Sequence, residues 1–201
     1  MPDHIWRSYD IRGIAGSEID ESFAHQFGLA CARYFTKRQI FKIAVGRDGR
    51  LSGPRLTDAL CQGLKNGGMT VFHLGIAPTP AVYFASTGFG FDAAVIVTAS
   101  HNPPEYNGFK LRLHERPLFP EDLQELKSDF TVAKAATEAG SVEDFSIQEI
   151  YEQTVADLNP LPRRLRIAVD AGNGSTSDWA PSLFQRMGAE VLPLFCTVDG
   201  T

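Results

Sequence analysis

Ala93-Ala-Val-Ile-Val-Thr-Ala99 is a nearly unbroken apolar run, rich in β-branched residues at its centre and followed at once by Ser100-His-Asn-Pro-Pro104. A run this short and this uniformly apolar reads as a strand covered on both faces, which is the position of a central strand in an α/β sheet. Strand-like and helix-like segments alternate on the N-terminal side. Residues 20–38 place Phe23, Phe27, Cys31 and Tyr34 on one helical face, and residues 41–45 read as a strand. After a Gly46-Arg-Asp-Gly-Arg50 loop, a second helix from about Gly53 aligns Leu56, Leu60 and Leu64, with Gly67-Gly68 as its left-handed cap. Residues 69–74 form the next strand, 75–80 a loop, and 81–86 a helix entered through Pro80.

On the C-terminal side, Asn107-Gly108 reads as a turn. Phe109 to Leu113 then alternates, with Phe109, Leu111 and Leu113 inward and Lys110 and Arg112 on the other face. Residues 121–129 and 146–158 read as helices, and Asn159-Pro-Leu-Pro162 breaks the chain. A strand at 165–169, a Gly-rich turn at Asp170-Ala-Gly-Asn-Gly174, a helix at 177–187 and a strand at 189–194 make one βαβ unit. The expected fold is therefore an α/β mixed sheet sandwiched between helices, over residues 1–145, followed by an incomplete second α/β domain over 146–201. The second unit is too short to bury both faces of its own sheet, so the chain reads as a fragment of something longer.

Composition narrows the function. Hydrophobic residues make up 43% and charged residues 21%, and the net charge is -5 with no run of Lys or Arg. Nucleic acid is not an expected partner. A small anionic substrate remains compatible, because a cleft with a few cations holds a positive potential inside an acidic protein. There is no signal-peptide-like or membrane-spanning stretch, so no membrane partner and a cytoplasmic location are expected. Cys31, Cys61 and Cys196 form no C-x-x-C pair, which argues against a disulfide framework or a zinc site; Cys31 and Cys61 read as small core residues.

Ligand sites in α/β sheets lie off the carboxyl ends of strands, which places Ser100 and His101 where chemistry is expected. A Ser-His hydrolase is the weaker reading, because adjacent side chains rarely meet as nucleophile and base and there is no G-x-S-x-G elbow. A serine that carries a phosphoryl group needs cations against a charge of about -1.5 to -2 and oxygen ligands for a divalent metal. Alone, Ser100 would be a turn residue, Lys110 an exposed strand lysine and Arg12 a surface arginine; the surrounding pattern changes that weighting.

Thr98-Ala-Ser-His-Asn-Pro-Pro-Glu-Tyr-Asn-Gly-Phe-Lys110 closely resembles the active-site loop of the phosphohexomutases, and W-R-S-Y-D-I-R-G at residues 6 to 13 resembles that family's N-terminal signature, with Trp6 in place of the usual Phe. V-G-R-D-G-R-L-S-G-P at 45 to 54, G-I-A-P-T-P-A at 75 to 81 and V-D-A-G-N-G at 169 to 174 follow in the family's order. The resemblance, best to the phosphomannomutase/phosphoglucomutase branch, implies interconversion of hexose 6-phosphate and hexose 1-phosphate through a hexose 1,6-bisphosphate. Phosphoglucosamine mutase, or a non-catalytic sugar-phosphate-binding fragment, is the alternative.

By the same resemblance Ser100 is the phosphoserine, whose phosphoryl oxygen also binds Mg²⁺. His101 and Lys110 contact the reacting oxygens, and Tyr9 and Arg12 line the pocket, Arg12 against phosphate charge. Arg47 and Asp48 either buttress the loop or form a plain ion pair beside a helix. The Asp170–Gly174 turn is read as structural rather than as a phosphate cradle, and His25 and His73 as structural; His114, at a strand end, is given little chance of approaching substrate. The family's D-G-D-x-D-R metal loop, sugar-selecting loop and C-terminal phosphate-binding domain would follow Thr201, so these 201 residues alone are expected to be inactive and to depend on the remaining domains of a parent enzyme.

Overall fold

The computed structural model describes residues 3–114 and 116–200. A six-stranded mixed sheet organises residues 11–144, with strand order β1-β5-β4-β2-β3-β6. Its strands are β1 (Ile11–Ile14), β2 (Lys42–Arg47), β3 (Thr70–Ile76), β4 (Ala93–Val97), β5 (Tyr106–Leu113) and β6 (Ser141–Asp144). β4 runs parallel to β2 and antiparallel to β5, and β1 is antiparallel to β5 on the outer edge.

Every residue of β4 is buried, as its apolar run requires. Val95 and Val97 face a core built with Phe27, Tyr34, Phe35 and Phe109, under α1 (Glu21–Thr36) and α2 (Gly53–Asn66). Ala94 and Ile96 face the opposite core, where α3 (Thr79–Gly88) supplies Ala81, Val82 and Ala85. The α/β sandwich expected from the sequence is what the chain forms.

The helices follow local chemistry. Asp20 caps α1 by accepting a hydrogen bond from the Phe23 amide at 2.7 Å. Helices α1 and α2 pack in close contact because both carry glycine at the crossing: a Cβ on Gly63 would lie 2.1 Å from the His25 carbonyl oxygen, and one on Gly28 2.5 Å from that of Leu60. At the end of α2 it is Gly68, at φ +90°, that takes the left-handed conformation, while Gly67 does not.

Three expectations are corrected. Asn107-Gly108 is no turn: β5 already begins at Tyr106, and Arg12 on β1 pairs with Gly108. A Cβ at Gly108 would sit 2.0 Å from the Ile11 carbonyl oxygen, so glycine is required by the approach of two backbones. Gly75, placed in a loop by the sequence, lies inside β3 at a register shift against β2. β1 and β6 were not anticipated at all.

Downstream, α4 (Pro120–Val132) packs on α1, and α5 (Gln148–Leu158) contacts α3 and α6 (Trp179–Arg186). β7 (Arg166–Asp170) and β8 (Glu190–Leu194) pair in parallel around α6, the βαβ unit expected. Trp179 reaches the α3 side of the first sheet and donates its indole N–H to the Ile76 carbonyl at 3.3 Å. Among the described residues no helix is long and apolar enough to cross a membrane.

Candidate active site

Ser100 stands three residues beyond β4, exposed, in the left-handed region at φ +58°. For a non-glycine residue this conformation is sparsely populated and must be imposed by its surroundings. The imposing contacts are visible. Thr98 Oγ1 donates to Asp48 Oδ2 at 2.6 Å and accepts from the Ser100 amide at 2.9 Å. The Asn102 amide bonds back to the Ala99 carbonyl at 3.2 Å and the Tyr106 amide to that of Pro103 at 3.0 Å. The loop is thus a structured connection between two adjacent antiparallel strands.

Arg50 reaches it from beneath. Its guanidinium donates to the carbonyls of Ser100 (3.0 Å), Asn102 (2.6 Å), Pro103 (2.6 Å) and Tyr106 (3.0 Å), and its Nε to Asp48 Oδ2 at 3.1 Å. Asp48 therefore does buttress the loop, through Thr98. Arg47 does not pair with the Asp48 carboxylate; it donates to the Asp48 carbonyl at 3.1 Å, and burial lowers its basicity. The ion pair that exists is Asp48–Arg50.

A second group forms on β1 and β5. Lys110, two residues along from Gly108, emerges on the α3 side of the sheet, where its Nζ meets Asp10 Oδ2 at 2.8 Å. The same oxygen accepts Arg12 Nε at 2.8 Å and Arg12 Nη2 at 2.6 Å. Asp10 is fully buried, and its other oxygen, Oδ1, has no partner among the described residues. Arg12 extends to the serine loop, donating to Asn102 Oδ1 at 2.7 Å and to the Ala99 carbonyl at 3.4 Å. Tyr9 is 62% exposed, and the Lys110 ammonium lies 5.3 Å from its ring centre. Two cations and one carboxylate leave a net charge of +1 beside the Ser100 loop.

Ser100, His101, Lys110, Tyr9 and Arg12 are thus linked through one loop and the strands beside it. His101 Nδ1 lies 3.4 Å from Ser100 Oγ, a long contact for a hydrogen bond. Ser100 and His101 open onto a cleft of about 500 Å³ that Thr79 also borders, with Asn173, Gly174 and Ser175 of the turn after β7. That volume falls within the range of about 300–1,000 Å³ usual for small-molecule sites. The other histidines are held elsewhere: His4 by Glu18 at 2.6 Å, His25 by Asn66 at 3.0 Å, His73 by Asp144 at 3.0 Å, and His114 by the Ser86 carbonyl at 2.5 Å. Asp10 and Arg50 are the site residues that the sequence reading missed. Both sit inside motifs quoted above, but only their long-range partners reveal what they do.

Comparison with known proteins bears on the family and the fold. Residues 3–136 match the family model described as phosphoglucomutase/phosphomannomutase, alpha/beta/alpha domain I. A phosphomannomutase/phosphoglucomutase of Pseudomonas putida is 39% identical over 201 residues, covering all of this chain and 43% of its own length. A phosphoglucomutase of Neisseria gonorrhoeae is 41% identical and covers 98% of this chain and 43% of its own. The crystal structure of a phosphoglucomutase/phosphomannomutase family protein from Burkholderia thailandensis superposes with a TM-score of 0.93 at 36% identity, over all of this chain and 45% of that one. The chain spans less than half the length of the curated relatives it matches. By sequence and by overall fold, the chain belongs to the phosphoglucomutase/phosphomannomutase family.

Proposed function

We propose that this chain carries the phosphoryl-transfer serine of a cytoplasmic hexose-phosphate mutase, which interconverts the 6- and 1-phosphates of mannose, glucose or both. The observation that carries the reading is the exposed, conformationally imposed Ser100, with Arg12 and Lys110 delivered beside its loop by neighbouring strands. The resting centre holds a phosphoryl group on Ser100 Oγ. In the first transfer the Oγ–P bond breaks as a bond forms from phosphorus to a sugar hydroxyl, whose proton leaves while the serine oxygen gains one. The resulting hexose 1,6-bisphosphate turns in the cleft and returns its other phosphoryl group to Ser100.

The work asked of the protein is placement and charge balance. In this reading Lys110 and Arg12 oppose the phosphoryl charge, His101 contacts the reacting hydroxyl and phosphoryl oxygens, and Tyr9 presents a ring and hydroxyl to the sugar. Mg²⁺ belongs to the proposal, supplying further positive charge at the phosphoryl oxygens when bound. Ser100 is a suitable ligand once phosphorylated, but among the described residues no group of three or more His, Cys, Asp or Glu is set to hold the ion. The remaining ligands are then those of the D-G-D-x-D-R loop that the resemblance implies.

The test is peptide mapping of the full-length protein by mass spectrometry, with turnover of glucose 1-phosphate and mannose 1-phosphate. One phosphoryl group on the peptide holding Ser100, and loss of turnover in Ser100→Ala, is expected. A serine that stays unmodified after incubation with glucose 1,6-bisphosphate would overturn the reading.

A further inference from the structure

Arg50 is the cation whose donors lie directly against the backbone of the Ser100 loop, and a phosphate-binding role is the obvious one to give it. The hydrogen bonds exclude that role. A guanidinium has five N–H donors. In Arg50 the Nε hydrogen goes to Asp48, the two on Nη1 go to Pro103 and Tyr106, and the two on Nη2 go to Ser100 and Asn102. All five are used, the side chain is only 12% exposed, and its charge is matched by Asp48. Nothing is left to offer an incoming anion.

Four carbonyl oxygens from a seven-residue stretch converge on one side chain. Left to themselves, four such dipoles repel one another, and the loop would open. The guanidinium's planar fork fixes their mutual angles, and Asp48 fixes the fork while also holding Thr98, which in turn holds the Ser100 amide. The backbone on both sides of Ser100 is tied, its amide through Thr98 and Asp48, its carbonyl through Arg50. This closed circuit is what holds an L-residue at φ +58° and aims its hydroxyl outward.

We infer that Arg50 is the positioning residue of the phosphoryl-transfer loop: it sets the angle at which Ser100 presents its oxygen without touching substrate. The kinetic part of this inference rests on the mutase reading; the structural part does not. A misplacement of about 1 Å at a reacting centre costs on the order of 100-fold in rate.

In the full-length protein, Arg50→Ala is therefore expected to lower kcat about 100-fold while KM stays within about threefold, and added guanidinium chloride at non-denaturing concentration should restore part of the rate to this variant alone. Arg50→Lys keeps the charge and the stem but has three donors for five acceptors. It should fold, lose most of its rate, and show faster hydrogen exchange at the amides of Ser100, Asn102 and Tyr106. A raised KM with kcat intact would make Arg50 a substrate ligand and overturn the inference. So would wild-type rate and wild-type loop protection in Arg50→Lys. If the wild-type protein turned over no hexose phosphate while the lysine variant still loosened the loop, the mutase reading would fall and the assignment of Arg50 to loop geometry would stand.

Discussion

Replacing Asp10 by Asn removes one charge from a fully buried position and keeps the side chain's shape. It also adds a buried amide N–H₂ where Oδ1 has no partner among the described residues, a cost of about 1–3 kcal/mol of its own. Oδ2 accepts three donors from Arg12 and Lys110, and Oδ1 accepts none, so an amide nitrogen placed at Oδ1 forfeits no existing hydrogen bond. Each cation–carboxylate contact near 2.8 Å is worth about 6 kcal/mol at an effective dielectric of about 20, before the cost of desolvation is subtracted. Removing one partner of a buried pair costs about 3–5 kcal/mol net, because it strands the other charge; here two are stranded. Against a typical total of about 5–15 kcal/mol that is a large fraction.

Urea unfolding followed through Trp6 and Trp179 fluorescence should show the midpoint fall by about 2 M for a slope near 2 kcal/mol per M. Lys110→Met is the control: it leaves the Arg12–Asp10 pair whole and should cost less than half as much. A midpoint for Asp10→Asn equivalent to less than about 1 kcal/mol of destabilisation, at unchanged slope, would refute the claim that this carboxylate holds the two cations together.

Gly108→Ala should destabilise the chain by about 1–3 kcal/mol, because its Cβ would collide with the Ile11 carbonyl; hydrogen exchange should show β1 loosened. Stability should decline as pH falls from about 5 to about 2. Hydrogen bonding to Arg116 holds the Asp122 carboxyl well below its usual range, and hydrogen bonding to Arg38 takes Glu125 down to about 2. These folded-state values lie below the unfolded ones, so the contribution is present above the unfolded value and lost on acidification; Asp122→Asn should flatten that limb of a urea-midpoint-against-pH curve. A thiol reagent should label Cys196 in the folded chain and all three cysteines only in denaturant, since burial raises the Cys31 thiol well above its ordinary value and the Cys61 thiol to about 12.

What the sequence disclosed, and what it hid, divides by range. α1 and α2 were legible because their apolar spacing repeats over several turns, and β4 because seven apolar or β-branched residues stand together. β1 and β6 were not. Ile11–Ile14 and Ser141–Asp144 are four residues each, too short for a period to show, and they become strands only because a neighbour offers an edge. Asn107-Gly108 misled for a related reason. The dipeptide has the chemistry of a tight turn, yet here Asn107 donates to Ser52 Oγ at 2.8 Å and Gly108 admits β1. In the site, the Ser100 loop announced itself by position and by resemblance. Asp10 and Arg50 depend on partners about 100 and 50 residues away, a relation no local pattern encodes.

The reversal of strand direction between β4 and β5 has one more outcome. In a parallel crossover the strand bearing the reactive residue would lead into a helix, and the amino end of that helix would meet an incoming phosphate with peptide dipoles. Here the chain turns back into a strand, so the loop's own continuation supplies no such dipole. If Ser100 carries a phosphoryl group as proposed, neutralisation falls to discrete side chains mounted on adjoining strands, which come in whole units of charge. A centre assembled in that way can be weakened one residue at a time, and its hold on phosphate should fade with rising ionic strength more steeply than a site lined by backbone amides.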